Sequence, residues 1–370
     1  MTSGNALLGI CADIEDALAA GSQQRFEAAT RSLGAATLEA APDDVRDAMA
    51  RLAGILATIR FSRGAELARL AGAMTNHGPM PGELLPVLVR RATEVMEIAD
   101  RFAATIGTDG ESLPSPEDPE LVQPAMSRLR GILAGPPGAT LPPGAPDLPA
   151  DPDAAALALA EAWFTGNAWV QPVLFLSQRK DVRAGLPGRD RLLAATEAVA
   201  RQLNAAHWLH GLLLVLDDEP LVVLHRPTGR GYRVTISGLG DNFQLHTLLA
   251  AHLIGEESRG MIPGKPPTPA EIAAASDGDL TPPGGIKGNF NLADAYGAWI
   301  WNEGRPADIP RLDGSRVVVL DPPAYVRTWN AGRAYPLMRP GVTVDEILPE
   351  AEAARWLSVV KPAARLGTPG

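Results

Sequence analysis

Five of the six histidines of this 370-residue chain fall within 46 residues: His207, His210, His225, His246 and His252, with Asp217, Asp218 and Asp241 among them. Imidazole is the side chain whose proton equilibrium lies nearest neutral pH, so such a cluster points first to acid–base chemistry. His246 stands one turn inside a helix that Asp241 is suited to cap. That makes His246 or His210 the candidate base, and Asp241 the orienting carboxylate, of a hydrolase- or transferase-type site. A zinc site needs three or four ligands converging on a tetrahedron, and the spacing does not offer them. There is no HExxH, His207 and His210 lie at an expected helix-to-strand junction, and the six-residue interval from His246 to His252 puts those two on different helix faces. His252 continues the stripe Leu245–Leu248–Leu249, and His225 alternates with Leu221 and Val223; both patterns predict burial. No metal ligand set is assigned, and no G-x-S-x-G elbow supplies a nucleophile.

Anion chemistry has its own candidates. Arg226, Arg230 and Arg233 surround the turn R-P-T-G-R-G-Y-R, and a glycine-containing turn ringed by guanidinium groups suits a phosphate or carboxylate. The competing reading is a solvated hairpin tip neutralised by nearby acids. The loop Gly284-Gly285-Ile286-Lys287-Gly288-Asn289 departs from the Walker pattern in spacing and in the missing Ser/Thr, which excludes a P-loop. A weaker phosphate contact where that loop enters an expected helix is not excluded. Further on, Trp299, Trp301, Tyr325, Trp329 and Tyr335 crowd together with Asn302, Glu303, Arg327, Asn330 and Arg333. Trp299, Asn302 and Trp329 are the candidate walls of a pocket; bulky anchors pinning long loops would look the same. The sequence names no cofactor.

The elements that must position these residues are legible in outline. Gly211–Leu216 and Leu221–Arg226 are Leu/Val-rich runs separated by Asp217-Asp218-Glu219-Pro220, and Tyr232–Ser237 alternates apolar with polar. Together they predict a three-stranded antiparallel meander. Asp241 and Gln244 form a capping-box-like pair opening a helix that runs to Gly255. Helices are expected over 153–164, 190–207 and 291–302, a strand over 315–320, and a strand and helix over 342–360, while 167–177 is ambiguous around Pro172. The Pro/Gly-dense stretch 256–289, with one short helix at 269–275, is read as a lid or a disordered loop.

Residues 1–107 show apolar spacing of three and four throughout and are read as an all-α helical bundle; eleven prolines then mark 108–152 as a linker with one short helix; and 153–370 form an α+β domain with a mainly antiparallel sheet. Cys11 is the single cysteine, so no intrachain disulfide and no cysteine metal cluster forms. The net charge of −10 argues against nucleic acid as a partner, because such binding needs a basic face. Four lysines (180, 265, 287, 361) leave 29 of the 33 basic residues as arginine, a bias that reads as high genomic GC content. No window approaches the ~20 apolar residues of a membrane span, and the N-terminus lacks a signal-peptide pattern. The expectation is a cytoplasmic, non-catalytic protein. Its helical domain docks a protein partner and its α+β domain binds a small anionic ligand or a second protein; the alternative is the His/Asp enzyme above.

Overall fold

The computed structural model describes residues 4–134, 148–278, 285–329 and 333–364. The chain is α+β and divides into two compact units: the described residues of Met1–Ser177 with Asp181–Leu213, and those of Gln178–Lys180 with Leu214–Gly370. Among the described residues no helix is long and apolar enough to cross a membrane.

The first unit is helical: α1 (Gly4–Ala19), α2 (Gln23–Thr37), α3 (Pro42–Leu56), α4 (Phe61–Met74), α5 (Leu84–Ile106), α6 (Val122–Leu133), α7 (Pro152–Leu176), α8 (Lys180–Ala184, in this unit from Asp181), α9 (Arg189–Val199) and α10 (Asn204–Leu213). Its centre is α7, which lies against α4, α5, α6 and α10. This helix is apolar almost all round, the pattern of a helix with no wet face. Its two buried indoles each need an acceptor. Trp169 Nε1 donates to the Phe61 carbonyl at 2.9 Å, and Trp163 Nε1 donates to the Pro114 carbonyl at 3.0 Å.

That second bond helps to explain where the division falls. The sequence places it in the proline-rich stretch 108–152, whereas the compact units part at Leu213/Leu214. Pro114 serves Trp163, and Ala125, Met126 and Leu129 of α6 enter the helical core. The described part of the expected linker is thus built into the first unit; residues 135–147 lie outside the described residues. Three local expectations also change. Residues 167–177 continue α7 through Pro172, 190–207 breaks into α9 and α10 at 200–203, and 211–213 is the last turn of α10 instead of a strand.

The second unit carries β1 (Glu219–His225), β2 (Arg230–Ser237), α11 (Asn242–Leu253), α12 (Pro269–Ala275), β3 (Ile286–Lys287), β4 (Asn291–Asp294), β5 (Arg311–Leu312), β6 (Ser315–Asp321), β7 (Thr328–Trp329), β8 (Gly341–Ile347) and α13 (Glu350–Val359). The sheet order is β4-β6-β1-β2-β8, with β5 beside β6; only β1–β6 is parallel, so the sheet is mainly antiparallel. The expected meander reduces to the β1–β2 hairpin, closed at Gly229 with φ of 71°. Strand side chains alternate between faces. Leu221, Val223, Tyr232, Val234 and Ile236 pack with Leu245, Leu249 and Leu253 of α11, while Val222, Leu224, Val317 and Val319 pack with Leu348, Ala353 and Val360 around α13.

The expected helix over 291–302 is absent. Asn291–Asp294 pairs with β6 as an edge strand, and Asp294 Oδ1 then accepts from Tyr296 N at 2.8 Å and Ala298 N at 2.9 Å, closing a tight turn at Gly297, φ 83°.

Two glycine substitutions test the packing of the helical unit in opposite directions. A methyl at Gly64 would meet Ile59 Cγ2 at 2.5 Å and overlap the Trp169 indole, so Gly64→Ala is expected to destabilise by roughly 1–3 kcal/mol. Gly54, exposed on α3 with nothing within 4 Å of its would-be Cβ, should gain about 0.5–1 kcal/mol as alanine. Urea denaturation monitored by far-UV circular dichroism measures both.

Candidate functional site

Where α11 ends, the backbone is held by a bridge between Ile254 and Ile262, with Gly255 N donating to Ile262 O at 2.9 Å and Ile262 N to Leu253 O at 2.8 Å. From there the chain runs through Lys265-Pro266-Pro267 into α12. A reciprocal capping box starts that helix: Glu271 N donates to Thr268 Oγ1 at 3.3 Å, and Thr268 N donates to Glu271 Oε2 at 2.6 Å. The chain then returns along β3, which pairs antiparallel with β7 through Ile286↔Trp329 and Lys287↔Thr328. Gly288 N donates to Arg327 O at 3.0 Å, and Asn289 Nδ2 donates to Lys265 O at 3.2 Å, tying the outgoing strand to the incoming loop.

These turns border a half-open cavity of about 370 Å³. Lys265, Lys287 and Asn289 provide its donors, Thr268 and Glu271 its far rim, and Pro266, Pro267 and Pro323 its apolar surface, with Gly288 between Lys287 and Asn289. Neither lysine forms an ion pair among the described residues. Of the expected lid 256–289, residues 265–268, 271 and 287–289 line this cavity; 279–284 lie outside the described residues. The expected phosphate contact at a helix N-terminus after Asn289 is replaced by a strand. Lys287, Gly288 and Asn289 nonetheless face this cavity.

The arginine turn is otherwise occupied. Arg226 Nε donates to Asp321 Oδ1 at 2.8 Å and its terminal nitrogen to Lys361 O at 2.9 Å. Arg230 donates to the Met261 carbonyl and lies 3.6 Å from Glu257 Oε1. Arg233 holds Glu346 at 3.0 Å and Glu352 at 2.5 Å. The three guanidinium groups go to three separate sets of acceptors instead of converging on one anion.

The histidine constellation is likewise dispersed. His210 belongs to the helical unit, where Nδ1 lies 3.3 Å from Thr196 Oγ1. His246 is fully buried in the second unit; its Nε2 accepts from Phe290 N at 3.1 Å, and its ring meets the Trp329 indole edge-on at 4.9 Å. Burial, with the nearby Arg327 charge, drives its pKa down to about 3, so the ring is neutral at physiological pH. Asp241 spends its carboxylate on Gln244 N at 2.9 Å, as an N-cap, and Gln244 Oε1 accepts in turn from Gly240 N at 2.8 Å. His225 is buried as expected, its Nδ1 2.8 Å from Thr228 Oγ1, with a pKa lowered chiefly by burial. His252 is exposed on the last turn of α11, contrary to the apolar-stripe reading. Among the described residues no group of three or more His, Cys, Asp or Glu is placed to hold a metal ion.

Nor do the aromatic candidates share a wall. Trp299 Nε1 donates to Ala364 O at 2.7 Å and its ring stacks near Tyr325. The Asn302 carbonyl accepts from Asn242 N and Phe243 N, both at 3.1 Å, capping α11 from outside. Trp329 packs between His246 and Phe243. Asn330 lies outside the described residues. Sequence reasoning placed Lys287 and Asn289 in one candidate phosphate loop but missed Lys265, Thr268 and Glu271, which line the same cavity. The available signal was that two of only four lysines flank the long Pro/Gly-rich loop.

Comparison with protein-family models, with curated proteins and with solved structures finds no match for this chain.

Two buried titratable groups give opposite pH signatures. Burial raises the Asp241 carboxyl to about 6, so its contribution to stability is complete below about pH 4 and is lost as pH rises through 6. Asp241→Asn keeps a cap acceptor of equal rank without the charge. It should therefore stabilise by roughly 1–2 kcal/mol at pH 7.5, with the gain gone at pH 4. Equal destabilisation at both pH values would contradict the assignment. His246, with its depressed pKa, contributes stability present above pH 6.5 and lost as pH falls toward 3. His246→Gln, which retains an acceptor for Phe290 N, should lose stability less steeply than the parent between pH 6.5 and 4 in the same denaturation series.

Proposed function

We propose that this is a non-catalytic binding protein whose α+β unit takes up a small anion in the Lys265/Lys287 cavity and whose helical unit docks a protein partner. One observation carries the first half: among the described residues Lys265 and Lys287 line one pocket and neither forms an ion pair, the Glu271 carboxylate there being held by Thr268, in a chain of net charge −10. A cation in a concave surface attracts an anion more strongly than one on a flat surface, because the walls focus its field. The arginines of the 226–233 turn lack this property, each being already matched. The helical unit supports the second half with a groove of about 400 Å³ along α4 and α7, floored by Leu70, Pro172 and Phe175 and edged by Glu66, Arg69 and Gln171. An apolar floor with a charged rim suits an apolar side chain of a partner. A cytoplasmic setting is in keeping with the single cysteine, Cys11, buried and unbridged.

Isothermal titration with sulfate at low ionic strength tests the anion reading. Lys265→Gln and Lys287→Gln are each expected to weaken sulfate at least tenfold, and the double substitution to abolish it. Lys180→Gln, at a surface lysine paired with Asp218, should leave it unchanged. Equal sulfate affinity in parent and double variant would remove the basis for the proposal.

A further inference from the structure

Resting on the anion reading just given, we propose that the ligand of the Lys265/Lys287 cavity is a phosphomonoester: a dianionic phosphate held at the two lysines, with its organic group against the proline walls.

The charge around the cavity selects a dianion. Two ammonium groups and one carboxylate line it, and that carboxylate, Glu271, is bound to Thr268 through both the backbone N–H and the hydroxyl. A third cation stands behind Gly288. A Cβ there would lie 2.9 Å from Arg327 Cγ, 3.1 Å from Trp329 Cζ3 and 3.2 Å from Arg327 Nε, so the Gly288 backbone that lines the cavity packs directly on the Arg327 side chain. Arg327 donates to the Phe290 carbonyl at 2.8 Å and forms no ion pair among the described residues. Among the described residues, the two lining lysines and Arg327 behind them stand against one carboxylate and leave two positive charges, which a carboxylate ligand would half neutralise and a phosphate dianion would match.

The kind of cation selects phosphate as well. This chain has 29 arginines, and pairs such as Arg51–Glu15 and Arg191–Glu97 hold a carboxylate in the guanidinium fork at two points, while Lys180 meets Asp218 through a single ammonium contact. The planar fork matches a planar carboxylate bidentately, whereas an ammonium is a compact point charge whose three donors adapt to a tetrahedral oxyanion. Placing two of its four lysines at one cavity is a departure from the chain's own habit.

Size and surface argue for an ester over free phosphate. A space of about 370 Å³ falls in the range that holds small organic ligands. Pro266, Pro267 and Pro323 offer rigid apolar faces that inorganic phosphate would leave unused.

Titration calorimetry with phenyl phosphate, inorganic phosphate, sulfate and benzoate, at constant ionic strength from pH 5 to 8, tests this. Phenyl phosphate is expected to bind at least tenfold more tightly than benzoate and more tightly than inorganic phosphate. Its affinity should rise about tenfold from pH 5 to 8 as the ester, with a second pKa of about 6, becomes dianionic. Sulfate, which does not titrate there, should stay flat and so corrects for any titration of the protein. Lys265→Gln and Lys287→Gln should each weaken phenyl phosphate at least tenfold with the Tm unchanged, both side chains being exposed. If benzoate binds as tightly, or phenyl phosphate affinity is flat with pH while the lysine variants still lose binding, the phosphate class is wrong and the anion site stands. If none of the four anions binds the folded parent protein, both proposals fall.

Discussion

The parallel pairing of β1 with β6 is the constraint on which the second unit depends. A parallel neighbour cannot be delivered by a tight hairpin, because its start must be carried to the same end of the sheet as the start of its partner. The chain leaves β2 at Ser237, and β6 begins at Ser315, with Arg316 against Leu221, only after a long excursion. That excursion builds α11, α12, the 256–290 loop and the edge strand β4. It also leaves β1 and β6 with neighbours on both sides, so side chains on both faces must find apolar cover. Leu221 and Val223 find it under α11, Val222 and Leu224 near α13. The cavity lies in the wall of the same excursion, which makes it a by-product of sheet topology before it is a site.

How much of this was legible follows from which force decided each element. LVVLHR, YRVTIS and SRVVVL were readable as strands because their β-branched content and their Gly and Pro boundaries agree with the tertiary outcome. GLLLVL was not. Its leucines satisfy a strand or the end of a helix equally, and Leu213, with Leu209 one turn before it, is taken by the helical core. The segment 291–302 misled for a different reason. Its apolar spacing suits a helix, but β6 needs an edge partner, and Leu292 and Ala293 fill that place on opposite faces. The Asp294–Gly297 turn was a signal for the strand end, outweighed by the periodicity on either side of it.

The candidate site was less legible than the fold, because closeness in sequence says little about which charges remain unmatched. Arg226, Arg230 and Arg233 stand within eight positions of one another, yet two of them are neutralised by residues far along the chain: Asp321 on β6, and Glu346 and Glu352 on β8 and α13. Those partners arrive only with the tertiary fold. Conversely, Lys265 and Lys287 look unrelated in sequence, and it is the β3–β7 register, with the Asn289–Lys265 bond, that brings them to one space. The histidines show the same lesson. Their crowding in sequence is undone because His207 and His210 belong to the helical unit, His252 is exposed, and His225 and His246 are buried with separate partners.

A division of labour between the two basic side chains connects these points. Arginine does architectural work here: Arg327 holds the Phe290 carbonyl, Arg333 the Gly278 carbonyl, and Arg226 the Lys361 carbonyl, each fixing a loop that has few apolar anchors of its own. A multi-donor guanidinium can bind a backbone carbonyl and still meet a carboxylate, which is why it suits loops that carry orphan acceptors. A lysine in the same position would satisfy fewer groups and lose more side-chain entropy for each bond. The chain therefore has a physical reason to use arginine where the fold must be held. Lysine is the rarer choice: Lys180 pairs with Asp218, and two of the other three lie in the wall around Gly288, where neither forms an ion pair among the described residues.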